Sequence, residues 1–404
     1  MQRLSARRRG VNALLAITFL MYCGFFMVIP LVSVHYVETL GFAAAVVGLA
    51  LALRQLLQQG FTLVGGVLAD RLGVRALIAA GVLIRAIGFV SLAWASTPAL
   101  LFLAMVLSAA GGALFEAPSR AAIAALTAEE ERARIYALLG VVGGLGMTIG
   151  PLMGALLLRL NFQTVALVAA ACFVVVFLVA LLLLPPVAVA SGQQRLGDGL
   201  RLVARDRTFL TFTALLMGYW FMWVQITLSL PLVAERLTGS TDAVGIIYAL
   251  NAGLTVLLQY PVLGYAQRFL RPMPILIIGM ALMALGLGAV AVAASMPLLL
   301  ACVVIFTLGS LLATPTQQAV TASLADERAL GSYFGVNALA LALGGSLGNV
   351  AGGLLTDVAR SLGQPALPWL AFGLAGLGSA IGVAMLAELF QRRPATAHLV
   401  ENPR

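Results

Sequence analysis

The stretch GALFEAPSRAAIAALTAEEERARIYALLG, residues 112–140, returns as GSLLATPTQQAVTASLADERALGSYFGVN, residues 309–337. In this register, 197 residues apart, Gly112, Leu114, Pro118, Ala122, Ala125, Glu130 and Tyr136 stand opposite Gly309, Leu311, Pro315, Ala319, Ala322, Glu327 and Tyr333. A shorter echo pairs Pro30-Leu31-Val32 with Pro231-Leu232-Val233 at a slightly different offset. The first match is too long for chance, so the chain reads as two parallel copies of one unit. Each copy runs from an apolar segment through a charged turn into a second apolar segment, and that alternation extends outward in both directions.

Of 404 residues, 62% are hydrophobic and 10% charged. A soluble domain carries about a quarter of its residues charged to solvate its surface, so lipid must be the solvent here. A spanning helix needs about 20 mostly apolar residues. Twelve segments qualify, near 11–35, 44–67, 75–95, 98–126, 134–158, 163–185, 209–234, 243–267, 273–294, 297–323, 332–357 and 366–390. The run from Val11 to Val34 is long enough to span, which favours a first helix over a cleaved signal segment. The longest interruption, 186–208, is polar and carries Ser191-Gly192 and four arginines. The expected fold is therefore all-α and polytopic. A six-helix half over 1–185 is joined by a cytoplasmic linker loop, 186–208, to a pseudo-symmetric half over 209–404 with a short tail.

All 24 basic residues are arginine, and the net charge is +9. In a soluble protein that excess would suggest nucleic acid; here the arginines fall in short loops. With the N-terminus inside, eighteen lie in cytoplasmic segments and three, Arg159, Arg236 and Arg360, outside. The positive-inside rule then places both termini in the cytoplasm, as in a multi-pass protein of a bacterial inner membrane. Cys23, Cys172 and Cys302 sit within apolar runs as small hydrophobes, and His35 and His398 are far apart. Neither a metal site nor a cofactor is expected.

The link after the second segment, GGVLADRLGVR (65–75), combines a flexible turn with an acid and two arginines. Glycine permits the tight turn, and Asp70 can face the positive N-terminus of a neighbouring helix. Gly66, Asp70, Arg71, Gly73 and Arg75 match the signature Gly-x-x-x-Asp-Arg-x-Gly-x-Arg, which resembles the major facilitator superfamily. The fifth segment carries Gly146-x-x-x-Gly150-Pro151-x-x-Gly154, where small residues allow helices to touch at backbone distance. This is similar to the motif of exporters in that superfamily, particularly its drug:proton antiporters. RQLLQQG (54–60), FEAP (115–118) and LADERALGSYFG (324–335) look like a multidrug resistance group within it. The resemblance covers the whole chain. It implies the major facilitator fold, two parallel halves around a central cavity, with Asp70 closing a cytoplasmic gate against the eleventh helix. The chain departs from the family pattern at Ala76 and Ala155. Where an arginine is usual early in the fourth helix, it has Leu107 and Ser108.

Ionisable groups inside spans are functional candidates, since each costs several kcal/mol to insert. Four qualify: Arg54, Arg85, Glu116 and Arg120. Glu116 and Arg120 are one helical turn apart, acid first, the better order for a pair. Glu116, Arg120 and Arg54 are the candidates for proton coupling, and Arg85 is expected to be a structural partner outside the cavity. In the resembled fold, helices one, four, seven and ten line the cavity. The expected substrate contacts are Tyr22, Phe26, Gln58 (on the second helix), Phe115, Tyr219, Trp223, Gln225 and Gln317. Aromatics with few charges suit an amphipathic guest.

These features imply a proton-driven exporter of small amphipathic molecules by alternating access, working as a monomer with protons, a small-molecule substrate and the bilayer as its partners. A transporter of one polar metabolite, a sugar or organic ion, stays open. An intramembrane enzyme would need a nucleophile–base pair or metal ligands, and no HExxH stands in the chain.

Overall fold

The computed structural model describes residues 2–127, 129–185, 196–326 and 329–392. Twelve helical runs among them are long and apolar enough to cross a membrane. Helix is the conformation an isolated apolar segment must take in lipid, because every backbone N–H and C=O is then bonded within the segment. The first six helices are α1 (Gln2–Val34), α2 (Ala44–Leu72), α3 (Val74–Ala93), α4 (Pro98–Leu126), α5 (Glu129–Leu158) and α6 (Phe162–Leu183). A short helix α7 (Leu196–Arg205) precedes α8 (Arg207–Trp223), α9 (Ser229–Thr238), α10 (Asp242–Phe269), α11 (Pro272–Ala289), α12 (Met296–Leu324), α13 (Leu330–Leu339), α14 (Gly345–Leu362) and α15 (Leu367–Arg392). The seventh span is broken into α8 and α9, and the eleventh into α13 and α14. The chain has two faces, one carrying α7 (the linker face) and one carrying the turns 40–43, 159–161, 239–241 and 363–366 (the far face).

The polar stretch 186–208 is not all loop. Its residues 186–195 lie outside the described part, but 196–205 form α7, whose Val203 is buried against Phe209, Ala329 and Tyr333. Asp206 ends this helix and starts the next: its Oδ1 accepts from Phe209 N at 2.9 Å, while Oδ2 accepts from the Tyr333 hydroxyl at 3.0 Å. A row of apolar residues at helical spacing within a polar segment had a surface to dock on, and the surrounding arginines obscured it.

Close helix packing repeats with a strict register. Gly146, Gly150 and Gly154 of α5 lie on the backbone of α1: a Cβ on Gly146 would stand 2.7 Å from Phe19 O, and one on Gly150 2.6 Å from Cys23 O. Gly344 and Gly348 do the same against α8, where a Cβ on Gly348 would be 2.6 Å from Phe221 O, and Gly352 continues the row against the Gln225 side chain. All three glycines are 198 residues on, and so are the partner residues: Phe19 and Met217, Cys23 and Phe221, Met27 and Gln225. The α3–α4 crossing (Gly81, Gly88, Gly111) recurs at α11–α12 as Gly279, Gly286 and Gly309, again 198 residues apart. The contacts thus pair Gly111, not Gly112, with Gly309. The sequence alignment followed Pro118 and Pro315, which are 197 apart, and so slipped by one residue at the glycines.

The two six-helix groups bind each other toward the far face. Asp357 at the end of α14 accepts from Ala44 N at 3.0 Å and Ala45 N at 2.8 Å, capping α2 with a charge that suits its N-terminal dipole. Arg159 after α5 meets Asp242 at the start of α10 at 3.2 Å. Glu38 takes Arg236 at 3.1 Å and also Arg360. Ser33 donates to Thr227 O at 3.3 Å, and the Ser346 hydroxyl to Ala52 O at 3.1 Å. No such bond joins the groups on the linker side of that last contact among the described residues.

Candidate functional site

Below the far-face closure, a cavity of about 400 Å³ lies between the two groups. Tyr22, Phe26, Gln58, Phe115 and Trp223 all line it, together with Arg54 and Glu116. On α1, Tyr22 and Phe26 are one turn apart and their rings stack with centroids 6.3 Å apart, while Phe25 meets Phe26 edge-on at 5.1 Å. Across the cavity Trp220 and Trp223 of α8 form an edge-to-face pair at 5.7 Å. These rings give two apolar walls whose rigid side chains need little ordering on binding.

Three expected contacts stand behind the wall instead. Tyr219 is fully buried and pairs its hydroxyl with Thr314 Oγ1 at 2.8 Å. Gln225 is likewise buried, its Nε2 donating to Phe221 O and Gly348 O and its Oε1 accepting from Ser229 at 2.6 Å. Gln317 is 3% exposed and faces away from the cavity, which its neighbours Thr314 and Gln318 line. Span number alone could not say which flank of a helix turns inward. The α8–α14 contact, absent from the sequence argument, is what claims Gln225.

Arg85 moves the other way. It belongs to α3, yet it lines the cavity at 5% exposure. The close glycine contacts of α3 with α4 bring its long side chain through to the Phe25 ring, 4.6 Å from guanidinium carbon to centroid. Arg54 approaches the same ring at 4.9 Å and donates to Gln58 Oε1 at 3.0 Å and Gln55 Oε1 at 3.1 Å. The signal in the sequence was the charge itself; what hid it was the assumption that the third helix stays outside.

Glu116 and Arg120 form the expected i, i+4 contact, but at 3.9 Å, with the arginine side chain 74% exposed and the glutamate 30%. Arg120 does not line the cavity. Glu116 Oε1 thus looks toward the mouth, while its Oε2 is buried with no hydrogen-bond partner. A pair this open contributes little to stability.

At the α2–α3 turn, Gly73 has φ +80°, a left-handed conformation that glycine adopts without strain. Arg75 donates to the Leu181 carbonyl near the end of α6, tying the turn to its own six-helix group. The side chains of Asp70 and Arg71, and the surroundings of Gly66, lie outside the described residues. Pro151 sits inside α5 beside Gly150, and in the repeat register its place is taken by Asn349, a residue of the cavity wall.

The chain belongs to the major facilitator superfamily: the model of that family matches residues 14–349 and, in a second overlapping match, 219–404. It is a multi-pass membrane transporter. Among curated proteins it is 41% identical to multidrug resistance protein MdtH of Edwardsiella ictaluri (strain 93-146) over 374 residues, 93% of either chain. It is 39% identical to the protein of the same name from Aeromonas salmonicida (strain A449), covering 98% of both. Its fold matches a crystal structure of a POT family transporter (TM-score 0.78, 15% identity, 95% of this chain and 97% of that one). It also matches the nucleoside transporter NupG (TM-score 0.77, 17% identity, 94% and 99%).

Proposed function

We propose that this chain is a proton-coupled exporter of small amphipathic molecules in a bacterial inner membrane, and that it works as a monomer by alternating access with the proton gradient as its only energy source. The observation that carries the reading is the aromatic-walled cavity between two six-helix groups that, among the described residues, are bonded to each other only toward the far face. The bias of arginines toward the linker face supports a cytoplasmic linker face, so the cavity would be caught facing inward. The groups 1–185 and 209–404 would rock about it, with Asp70 and its turn closing the linker face in the opposite state. The name of the curated relatives supports drug-like cargo.

Glu116 is the proposed proton carrier, because it is the carboxylate in the cavity wall and one of its oxygens is unbonded. Arg120 stands one turn away at the mouth, 3.9 Å from its other oxygen. The glycine stripe of α5 recurs in α14, so close packing belongs to both groups and does not by itself give a transport direction. Pro151, which the second group lacks, is the part of the motif that remains for the export role. A second reading, a carrier of one polar metabolite, draws support from Arg54, Arg85 and three glutamines (Gln55, Gln58 and Gln59) on the cavity wall, a denser polar set than aromatics alone imply.

The test is transport in proteoliposomes under an imposed pH gradient, with lipophilic cations, neutral drugs and sugars as cargo. Gradient-dependent movement of several unrelated amphipathic compounds is expected. Movement of one polar solute alone, or indifference to the gradient, would replace the exporter reading.

A further inference from the structure

The cavity wall carries more positive charge than it balances. Arg54 and Arg85 are 7% and 5% exposed, and Glu116 forms no ion pair with either among the described residues. Both Nε atoms are buried without an acceptor. The Arg54 guanidinium is oriented by Gln55 and Gln58 through its two terminal nitrogens, each of which keeps a second hydrogen. Arg85 has no hydrogen bond at all among the described residues; its contacts are the Phe25 and Phe173 rings at 4.6 and 5.5 Å. An unpaired buried cation is strongly unfavourable, and a ring face offsets only part of that.

The fold does not need these charges. In the 198-residue register Arg85 falls opposite Met283, fully buried at the equivalent crossing, and Arg54 opposite Ala252. Space has also been left for them: a Cβ on Gly112 would come within 2.9 Å of both Arg85 Nη1 and Gln58 Oε1. Two guanidiniums held against one aromatic ring, with unused donors at a cavity wall, have the geometry that carboxylates fit in bidentate fashion.

We propose that Arg54 and Arg85 form a carboxylate-binding site, so that the favoured substrates are amphipathic zwitterions: carboxylate on the arginine pair, ring system on the aromatic walls, amine toward the unbonded Glu116 Oε2. This rests on the reading of the cavity as the transport site and narrows its substrate class. It also gives Glu116 one task, exchanging a proton for the amine, without competition from the anionic end.

The test uses two fluorescent probes that differ only in the carboxylate, Nε-dansyl-lysine and dansylcadaverine, titrated into the purified full-length protein. The zwitterion is expected to bind at least about tenfold more tightly, the range lost when one partner of a charged hydrogen bond is removed. Arg54→Gln and Arg85→Gln should each bring the ratio toward one by weakening dansyl-lysine alone, and Arg85→Lys should keep part of it. Equal or weaker binding of dansyl-lysine by the parent protein, including none, overturns the proposal without any variant. So does an equal loss of both probes in each glutamine variant, which would mark the arginines as structural. Gradient-driven export of dansylcadaverine by a protein with no preference would sink the carboxylate site and leave the exporter standing. A clear preference without gradient-driven transport would do the reverse.

Discussion

Removing the Asp357 carboxylate should open the far face. In the structure it accepts two backbone hydrogen bonds, at 3.0 and 2.8 Å, from the first residues of α2, and α2 belongs to the other six-helix group. Hydrogen bonds to a charged group are worth about 1.5–3 kcal/mol each when buried, and the helix dipole adds about 0.3–1 kcal/mol. Asp357 is half-buried and water can replace part of this, so about 2–3 kcal/mol in total is the sensible figure for Asp357→Ala. That shifts the balance between far-face-closed and far-face-open states by about 30- to 150-fold. The reporter is Ser33→Cys in a background lacking the three native cysteines. Ser33 is fully buried under the closure and bonded across it to Thr227 O. Its maleimide labelling in purified protein should rise with Asp357→Ala by a large part of that factor. Asp357→Asn, which keeps one acceptor oxygen but no charge, should fall between. Labelling that stays at the parental rate in the alanine variant would show that the cap does not hold the closure, and that the ion pairs of Glu38 and Arg159 suffice.

Three further outcomes follow from the same geometry. Glu116→Gln should still bind substrate yet lose accumulation driven by a pH gradient in inverted vesicles at equal expression; undiminished uphill uptake would move the proton site elsewhere. Asp70→Asn should lower transport strongly with normal membrane insertion, and raise the labelling of cavity cysteines from the linker face, since it weakens the opposite closure; normal efflux would remove the gate role. Gly150→Leu and Gly348→Leu each force a side chain into a backbone contact where a Cβ would already be within 2.6 Å of a carbonyl oxygen. Overpacking of that kind costs about 1–3 kcal/mol or more, so both should lower Tm alike, and a drop confined to Gly150→Leu would show that the two stripes are not equivalent.

The sequence alone determined the membrane class, the twelve spans and their approximate ends. Lipid leaves a segment so few choices that apolar length nearly dictates helix, and the fourth span was placed at 98–126, the bounds of α4. The duplication, too, was written in residues 112–140 and 309–337, though not its register at the glycines. Tyr22, Phe26, Phe115 and Trp223 could be assigned to the cavity because they lie on spans that the family likeness turns inward. What the chain could not disclose by itself was the direction of each side chain. A residue one position away on a helix is rotated by about 100°, enough to put Tyr219 behind the wall while Trp220 stands on it. Nor could it disclose contacts between distant segments: the packing of α14 that claims Gln225, the approach of Arg85 on α3 to the Phe25 ring on α1, and the Asp357 cap on α2 each join residues more than fifty positions apart. Local pattern fixes which segments are helices; only the packing of one helix on another decides which charges are left facing the cavity.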